Sequence, residues 1–282
     1  MSVFLTFYEN DHMVNGDYAY GTDRELVITE GLGDIFGKIK SLIVTIINKI
    51  VSLLKTFVSK VKSLLKVAYS KIKEFLNKLL PTKEDFDPQI YPDDPKFAET
   101  KCMSLSNWEE SVRQSVFKGI RRAEFIINKA INSGDFFKRK LTEYGSDAND
   151  EGIAPGMNKE AIKAYFYKTR PPQPITGRSI YEFKDYMENR MDDFMKEFDK
   201  YIDRFNDLQH KVGDVYSEKF SNRNSPDVDM GVVSYNNNLM TTNLNQISQC
   251  IDLMMEFLNE TTKSYVRRIQ LEYTRRTKEG YI

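Results

Sequence analysis

The chain has 282 residues, of which 40% are hydrophobic and 12% aromatic, enough to bury one or two cores. Charged residues make up 29%, the mean hydropathy is −0.52, and 41 basic side chains balance 41 acidic ones. This composition favours long exposed helices and argues against a compact enzyme.

The N-terminal region is acidic. Residues 1–37 hold seven acidic side chains against Arg24, a net charge of −6. The opening twelve residues contain neither a basic region nor a long apolar run, which argues against secretion. We predict that residues 1–30 form a flexible leader, and that Gly33 and Asp34 make the turn and cap at which the first helix begins.

An eleven-residue pattern follows and occurs four times between Lys38 and Pro81, as KIKSLIVTIIN, KIVSLLKTFVS, KVKSLLKVAYS and KIKEFLNKLLP. Each copy begins with lysine and has apolar residues at places two, five, six, nine and ten. Because eleven residues in three turns correspond to about 3.67 per turn, the pattern predicts one straight or slightly right-handed helix. The apolar places share an arc of about 130° on that helix. We call this surface the apolar arc.

Lysines border the apolar arc on both sides, and ten lysines with one glutamate give the segment a net charge of +9. The predicted basic flank consists of Lys38, Lys40, Lys49, Lys60, Lys62, Lys71 and Lys73. Such a helix suits a lipid surface, where lysine stems extend to the headgroups, and it equally suits packing in a right-handed coiled coil or bundle. We favour packing, because apolar stripes at helical spacing are usually core. The longest apolar run, Leu42–Val51, is interrupted by Asn48 and Lys49 and is too short to span a bilayer.

Four prolines between Pro81 and Pro95 predict a linker over residues 82–103. We predict an all-α fold in which the amphipathic repeat helix, residues 31–81, is followed by a helical bundle with coiled-coil character, residues 104–282. No alternation of apolar and polar residues is long enough to predict a sheet.

Within the bundle, Ser106 or Asn107 is expected to cap a helix that runs from Trp108 to Ile131, and brief helices are expected after Ser133 and from Glu160 to Tyr167.

A long helix is predicted from Ser179, because its apolar residues alternate three and four positions apart, as in a heptad repeat. They are Met187, Met191, Phe194, Phe198, Tyr201, Phe205, Leu208, Val212 and Val215. A last helix is expected from about Thr241 to Lys278. We expect the bundle to form its own core, with the linker tethering the repeat helix to it without merging the two.

Catalytic or metal chemistry has little support in the sequence. His12 and His210 have no partner at ligand spacing. GLGDIFG lacks the third glycine and preceding strand of a dinucleotide loop, and DANDEG at 147–152 matches only the first half of a calcium loop. Cys102 and Cys250 form no CxxC motif and are interpreted as reduced thiols in a cytosolic product. We therefore predict no enzymatic activity, no cofactor and no metal.

Basic and aromatic residues alternate in the C-terminal stretch KSYVRRIQLEYTRRTKEGYI. Such a pattern suits a nucleic-acid backbone, and it also suits a solvated helix end whose cations complement the helix dipole. Candidate nucleic-acid contacts are Arg267, Arg268, Arg275, Arg276 and Lys278.

Residues Leu26–Glu30 are followed by Gly31-Leu32-Gly33 and then by the lysine-rich amphipathic helix. This arrangement resembles the front of internal head and prohead-core proteins of large tailed bacteriophages. In that family an N-terminal peptide directs the protein into the assembling shell, and a maturation protease cuts after glutamate in the pattern Leu or Ile, any residue, Glu. The resemblance implies a processing site at Ile28, Thr29 and Glu30, with the cut before Gly31. Residues 141–143, 180–182 and 258–260 also fit the tripeptide, but only the first match lies in a leader expected to be unstructured.

The resemblance implies a non-enzymatic virion protein of the capsid interior, an internal head or prohead-core scaffold component that passes through the host cytoplasm during assembly. Its expected partners are copies of itself, as a homo-oligomer, other capsid proteins and packaged DNA. Removal of residues 1–30, which carry −5, leaves a mature chain of +5. Two alternatives stay open: a membrane-active protein that binds anionic lipid or forms a pore, and a phage-encoded helical inhibitor or adaptor of a host factor.

Overall fold

The computed structural model describes residues 24–79, 100–132, 135–141, 153–154, 156–219 and 228–280, with side chains of the first helix from Phe36 onward. These residues belong to two compact units, Met1–Ile39 and Lys40–Ile282. The all-α prediction is confirmed. His12, the DANDEG loop and most of the predicted linker lie outside the described residues.

Helix α1 runs without interruption from Arg24 to Leu79, a length of 56 residues. The prediction that it begins at Gly33 and Asp34 is therefore wrong. An isolated glycine costs a helix only about 1 kcal/mol relative to alanine, so Gly31 and Gly33 do not stop a helix that continues for many turns.

The next helix is interrupted by a π-helical turn. It comprises α2 (Leu105–Val112), a first π-helical segment (Arg113–Phe117) and α3 (Lys118–Asn132). Ser104 caps it, since its Oγ accepts a hydrogen bond from the backbone N–H of Asn107 at 3.2 Å. The predicted caps, Ser106 and Asn107, lie inside the helix.

One short strand precedes this helix, and three short elements lie between it and the second half of the bundle. They are β1 (Lys101–Cys102), α4 (Asp135–Lys138), α5 (Lys159–Thr169) and β2 (Gln173–Pro174). The two-residue strands pair antiparallel, with Lys101 opposite Pro174 and Cys102 opposite Gln173. Among the described residues this is the only strand pairing.

The predicted heptad helix also contains a π-helical turn. It is built from α6 (Gly177–Asp185), a second π-helical segment (Tyr186–Arg190) and α7 (Met191–Lys219). From Met191 onward most of the predicted heptad residues are buried, whereas Tyr201 and Val215 are half-buried. The buried ones are Met191, Phe194, Phe198, Phe205, Leu208 and Val212.

The last helix, α8, runs from Met230 to Lys278 and begins about three turns earlier than predicted. Asp229 caps it by accepting hydrogen bonds from the N–H groups of Gly231 and Val232 at 2.8 and 3.1 Å. Helix α8 packs against α2, α3, α4 and α5 and so runs through the bundle.

One aromatic cluster joins three helices of the larger unit. The Phe57 ring of α1 lies 6.3 Å from Trp108 of α2 and 5.3 Å from Phe198 of α7, centroid to centroid. Phe117 and Phe194 complete the cluster. Phe57 is 1% exposed. The expectation that the repeat helix has a core separate from the bundle is therefore wrong, because the apolar arc supplies part of the bundle's own core.

By length and composition alone, the part of α1 from Phe36 to Lys78 is apolar enough to cross a membrane. The core helices of soluble proteins in general meet the same criterion. From Lys40 onward, most of the apolar arc is buried within the larger unit. This helix is therefore weak evidence for a membrane span.

Candidate functional site

Most of the apolar arc of α1 is buried, and its edge at place five, Leu42, Leu53, Leu64 and Phe75, is half-buried. The buried residues of the repeat between Lys40 and Leu79 are Ile43, Ile46, Ile47, Ile50, Val51, Leu54, Phe57, Val58, Val61, Leu65, Ala68 and Ile72. Among the residues of this helix whose side chains the structure describes, only Val67, on the opposite side, is a strongly exposed large hydrophobic residue, at 55%. The surface that α1 offers to a partner is thus its polar side.

That polar side is strongly cationic. Between Lys40 and Lys73 the helix contains eight lysines and no acidic residue, over a length of about 50 Å. We call the exposed side that carries them the lysine face. Its lysines are Lys40, Lys49, Lys55, Lys60, Lys62, Lys66, Lys71 and Lys73.

The structure places the predicted basic flank on the polar side, with Lys40 and Lys62 half-buried and the others exposed. Lys55 and Lys66 were not among the predicted residues, although both are exposed on the same face. The repeat itself could have predicted them, because both occupy place seven, which lies on the polar side of the helix.

Most charges of the lysine face are not neutralised within the described part of the chain. No ion pair or side-chain hydrogen bond to a described residue involves Lys49, Lys55, Lys60, Lys62, Lys66 or Lys71. Lys73 lies over the Tyr69 ring, with its Nζ 5.8 Å from the centroid. The Tyr69 hydroxyl donates a 2.5 Å hydrogen bond to Glu188, which raises the pKa of Tyr69 to about 12 and ties α1 to the second π-helical segment.

The predicted C-terminal contacts do not form one exposed basic patch. Arg268 and Glu272 are both 0% exposed and their charged groups are 3.3 Å apart. The Glu272 carboxylate also forms ion pairs with the guanidinium groups of Arg275, at 2.7 Å, and Arg276, at 2.9 Å. The prediction that Arg268 contacts nucleic acid is therefore wrong, because its side chain is buried in the core and paired with Glu272.

This network lies beside the end of α1. The rings of Phe75 and Tyr273 are 5.4 Å apart, and Lys78 Nζ lies 6.0 Å from the centre of the Tyr273 ring. Arg267 and Lys278 are exposed on α8. The C-terminal ends of α1 and α8 are thus packed together.

A second ionic cluster, which sequence patterns did not predict, joins the two π-helical segments. Arg113 pairs with Glu109 at 2.9 Å and with both carboxylate oxygens of Glu197. Glu109 also receives Arg190 at 3.4 Å. Each carboxylate has an arginine partner, so the cluster fastens helices and leaves no unpaired acid for proton transfer.

Metal and nucleophile chemistry has no assembled site among the described residues. No group of three or more histidine, cysteine or acidic side chains there has the geometry to hold a metal ion. Cys102 and Cys250 are buried and unlinked, and burial raises the pKa of both thiols to about 12, which keeps them protonated. His210 is exposed on α7.

The predicted processing site, Ile28 to Gly31, lies within α1 and has helical backbone. The tripeptides at 180–182 and 258–260, which fit the same cleavage pattern, also lie in helices. Position therefore no longer separates the first tripeptide from these two, and a cut before Gly31 requires the first turns of α1 to unwind.

No protein-family model, curated protein or solved structure with which the chain was compared matches it.

Proposed function

We propose that the chain is a non-enzymatic protein of the bacteriophage particle interior, of the internal head or prohead-core type. The observation that carries this proposal is the lysine face: eight lysines without an intervening acid on the outer side of a helix whose apolar side is already filled. A surface of this kind attracts polyanions, and DNA is the polyanion of a phage head. The resemblance of the leader and first helix to head-interior proteins supports the same location.

Assembly with copies of itself and with other head proteins belongs to this proposal, but the apolar arc does not mediate it. The arc is buried, and the lysine faces of two copies repel each other. Among the described residues, the strongly exposed large hydrophobics are Val67, Met230 and Tyr235. Apart from the half-buried edge of the apolar arc, the described surface of α1 therefore offers mainly polar and charged groups for assembly contacts.

Mass spectrometry of purified particles tests the proposal. We expect the chain in particles, beginning at Gly31, and we expect Glu30→Gln to block that cut. Glu182→Gln is the matched control, because it alters another tripeptide of the same pattern and should leave the new N-terminus unchanged. Absence of the chain from particles would contradict the function, whereas a chain that retains Met1 would contradict only the processing.

The alternative with an observation in its favour is membrane activity, because α1 has the length and composition of a membrane-crossing helix. Membrane insertion requires α1 to leave the aromatic core that Phe57 shares with Trp108 and Phe198. Under our proposal the full chain does not release dye from vesicles containing about 30% anionic lipid, and its near-UV circular dichroism is unchanged by them. Dye release with loss of that signal would favour the alternative.

A further inference from the structure

Lysines on the lysine face form two rows. Places one and seven of the repeat lie about 130° apart around the helix on the solvent side. The first row is Lys49, Lys60 and Lys71. The second is Lys55 and Lys66, with Lys62 and Lys73 at its inner edge. Both rows border solvent along the repeat.

Short side chains occupy the surface between the rows. These exposed residues are mostly hydroxyl-bearing, with Val67 among them; the hydroxyl residues are Ser52, Thr56, Ser59, Ser63 and Ser70. The two lysine rows therefore flank a strip of shorter side chains on the outward face of the helix. The hydroxyl groups of this strip are able to donate hydrogen bonds to phosphate oxygens.

We propose that the lysine face binds the phosphate backbone of duplex DNA, with both lysine rows contributing to the contact. The inference rests on the proposed function, for which it names the partner and the surface. Duplex DNA presents about one negative charge per 1.7 Å of its axis, so a face about 50 Å long meets more phosphates than it has lysines. The contact is independent of base sequence, since the face carries charges and hydroxyls but no array of exposed aromatic or amide groups.

The structure favours DNA over a lipid surface. An interfacial helix sinks its apolar side below the headgroups, and the apolar side of α1 is occupied by the bundle core. Val67 alone is a strongly exposed large hydrophobic residue on the described part of this helix.

Fluorescence anisotropy with the full chain and a labelled 30-base-pair duplex tests the inference. We expect the logarithm of the association constant to fall with the logarithm of salt concentration with a slope of about −4 or steeper, since each neutralised phosphate contributes about −0.9. Lys49→Gln with Lys60→Gln removes two charges from the first row. Lys55→Gln with Lys66→Gln removes two from the second. Each pair should reduce the slope by about 2 and weaken binding by about tenfold or more in 0.1 M salt.

The matched control is Lys200→Gln with Lys211→Gln, two exposed lysines of α7. This pair changes net charge by the same amount outside the lysine face, and we expect affinity to stay within about twofold and the slope to stay unchanged. Circular dichroism verifies that all variants are folded.

Four results would overturn the inference: a wild-type slope shallower than about −2, a control that weakens binding as much as the row variants, dependence on one row only, or equally strong binding to anionic vesicles with the same dependence on both rows. The outcome is separable from that for the proposed function. A chain that occurs in particles but does not bind duplex contradicts the DNA-binding face alone. A chain that binds duplex in this way but does not occur in particles contradicts the particle location alone.

Discussion

Gly119 occupies a close approach between α3 and α8. A Cβ atom added there would lie 2.8 Å from Ile247 Cγ1, a separation that real structures do not accommodate without movement. The Gly119 carbonyl oxygen accepts a 3.0 Å hydrogen bond from the Asn243 side chain, so the backbone is fixed on this side. Glycine is therefore required here by space and not by backbone conformation.

We predict that Gly119→Ala lowers the free energy of unfolding by about 1–2 kcal/mol. Overpacking costs about 1–3 kcal/mol, and the better helix propensity of alanine returns about 0.5–1 kcal/mol. Gly213→Ala in α7 is the control, because nothing lies within 4 Å of its added Cβ, and it should stabilise the protein by about 0.5–1 kcal/mol. Urea unfolding measures both, and equal effects of the two substitutions would contradict the close approach.

The Glu272 carboxylate lies near the end of α8 and forms ion pairs with three arginines, Arg268, Arg275 and Arg276. Burial raises the pKa of this carboxyl, but hydrogen bonds from Arg275 and Arg276, with the charges of Arg275 and Arg268, outweigh burial and hold the pKa below its usual range. We predict that Glu272→Gln costs about 3–5 kcal/mol at pH 7, because it leaves Arg268 buried without its carboxylate. Glu279→Gln, at an exposed pair with Arg275, should cost less than about 1 kcal/mol.

The cost of Glu272→Gln should depend on pH. Because the folded pKa is lower than the unfolded value of about 4.3, the stabilisation by the carboxylate is fully present above about pH 4.3 and is lost as pH falls through the folded pKa. The difference in unfolding free energy between the wild type and the variant should therefore narrow as the pH is lowered from 7 through about 4.3 to 3. A difference that stays constant to pH 3 would contradict the ionic role of Glu272.

Two sequence periods predicted two helices well. The eleven-residue period identified α1 and its apolar arc, and the heptad period identified the inward residues of α7 from Met191. A sequence period shows which face of a helix is apolar, but it does not show which other element packs on that face. The contact of Phe57 with Trp108 and Phe198 could therefore not be predicted from it. The π-helical segments were equally invisible, since one extra residue in a turn leaves no fixed composition.

The candidate site shows the same limit. Seven lysines were predicted from their position beside the arc, and Lys55 and Lys66 follow from the same repeat geometry. Arg268 was misplaced because charge density along a sequence does not distinguish an exposed cation from one that is neutralised in the core. Only the contact with Glu272, four residues later, separates the two.

Helix α1 provides a direct comparison of its two faces. We predict that Phe57→Glu lowers the free energy of unfolding by several kcal/mol, because it places an unpaired charge in the aromatic cluster. Val67→Glu makes a similar polar change on the same helix at a residue that is 55% exposed, and it should change stability by no more than about 0.5 kcal/mol. Thermal and urea unfolding of both variants measure the difference. Equal stability of the two variants would restore the separate-core arrangement.

At the scale of the whole molecule, the bundle is incomplete without α1. We predict that a fragment of residues 96–282 retains helical far-UV circular dichroism but loses cooperative unfolding and binds a hydrophobic dye, because the surface that covers Phe198 and Trp108 is missing. Addition of a peptide of residues 36–80 should restore a cooperative transition. A fragment that melts sharply by itself would contradict a shared core.

The indole N–H of Trp108 donates a 2.8 Å hydrogen bond to the backbone oxygen of Met254, a partner 146 residues further along the chain. At about 5–20 residues per second, a ribosome adds that intervening length in roughly 7–30 s. Throughout that interval α1 has already been synthesised, while the helix that closes the core around it has not. The nascent chain therefore exposes the apolar arc of α1 for seconds before the core can form. The yield of folded protein in a cell should depend on chaperones that bind apolar segments during translation.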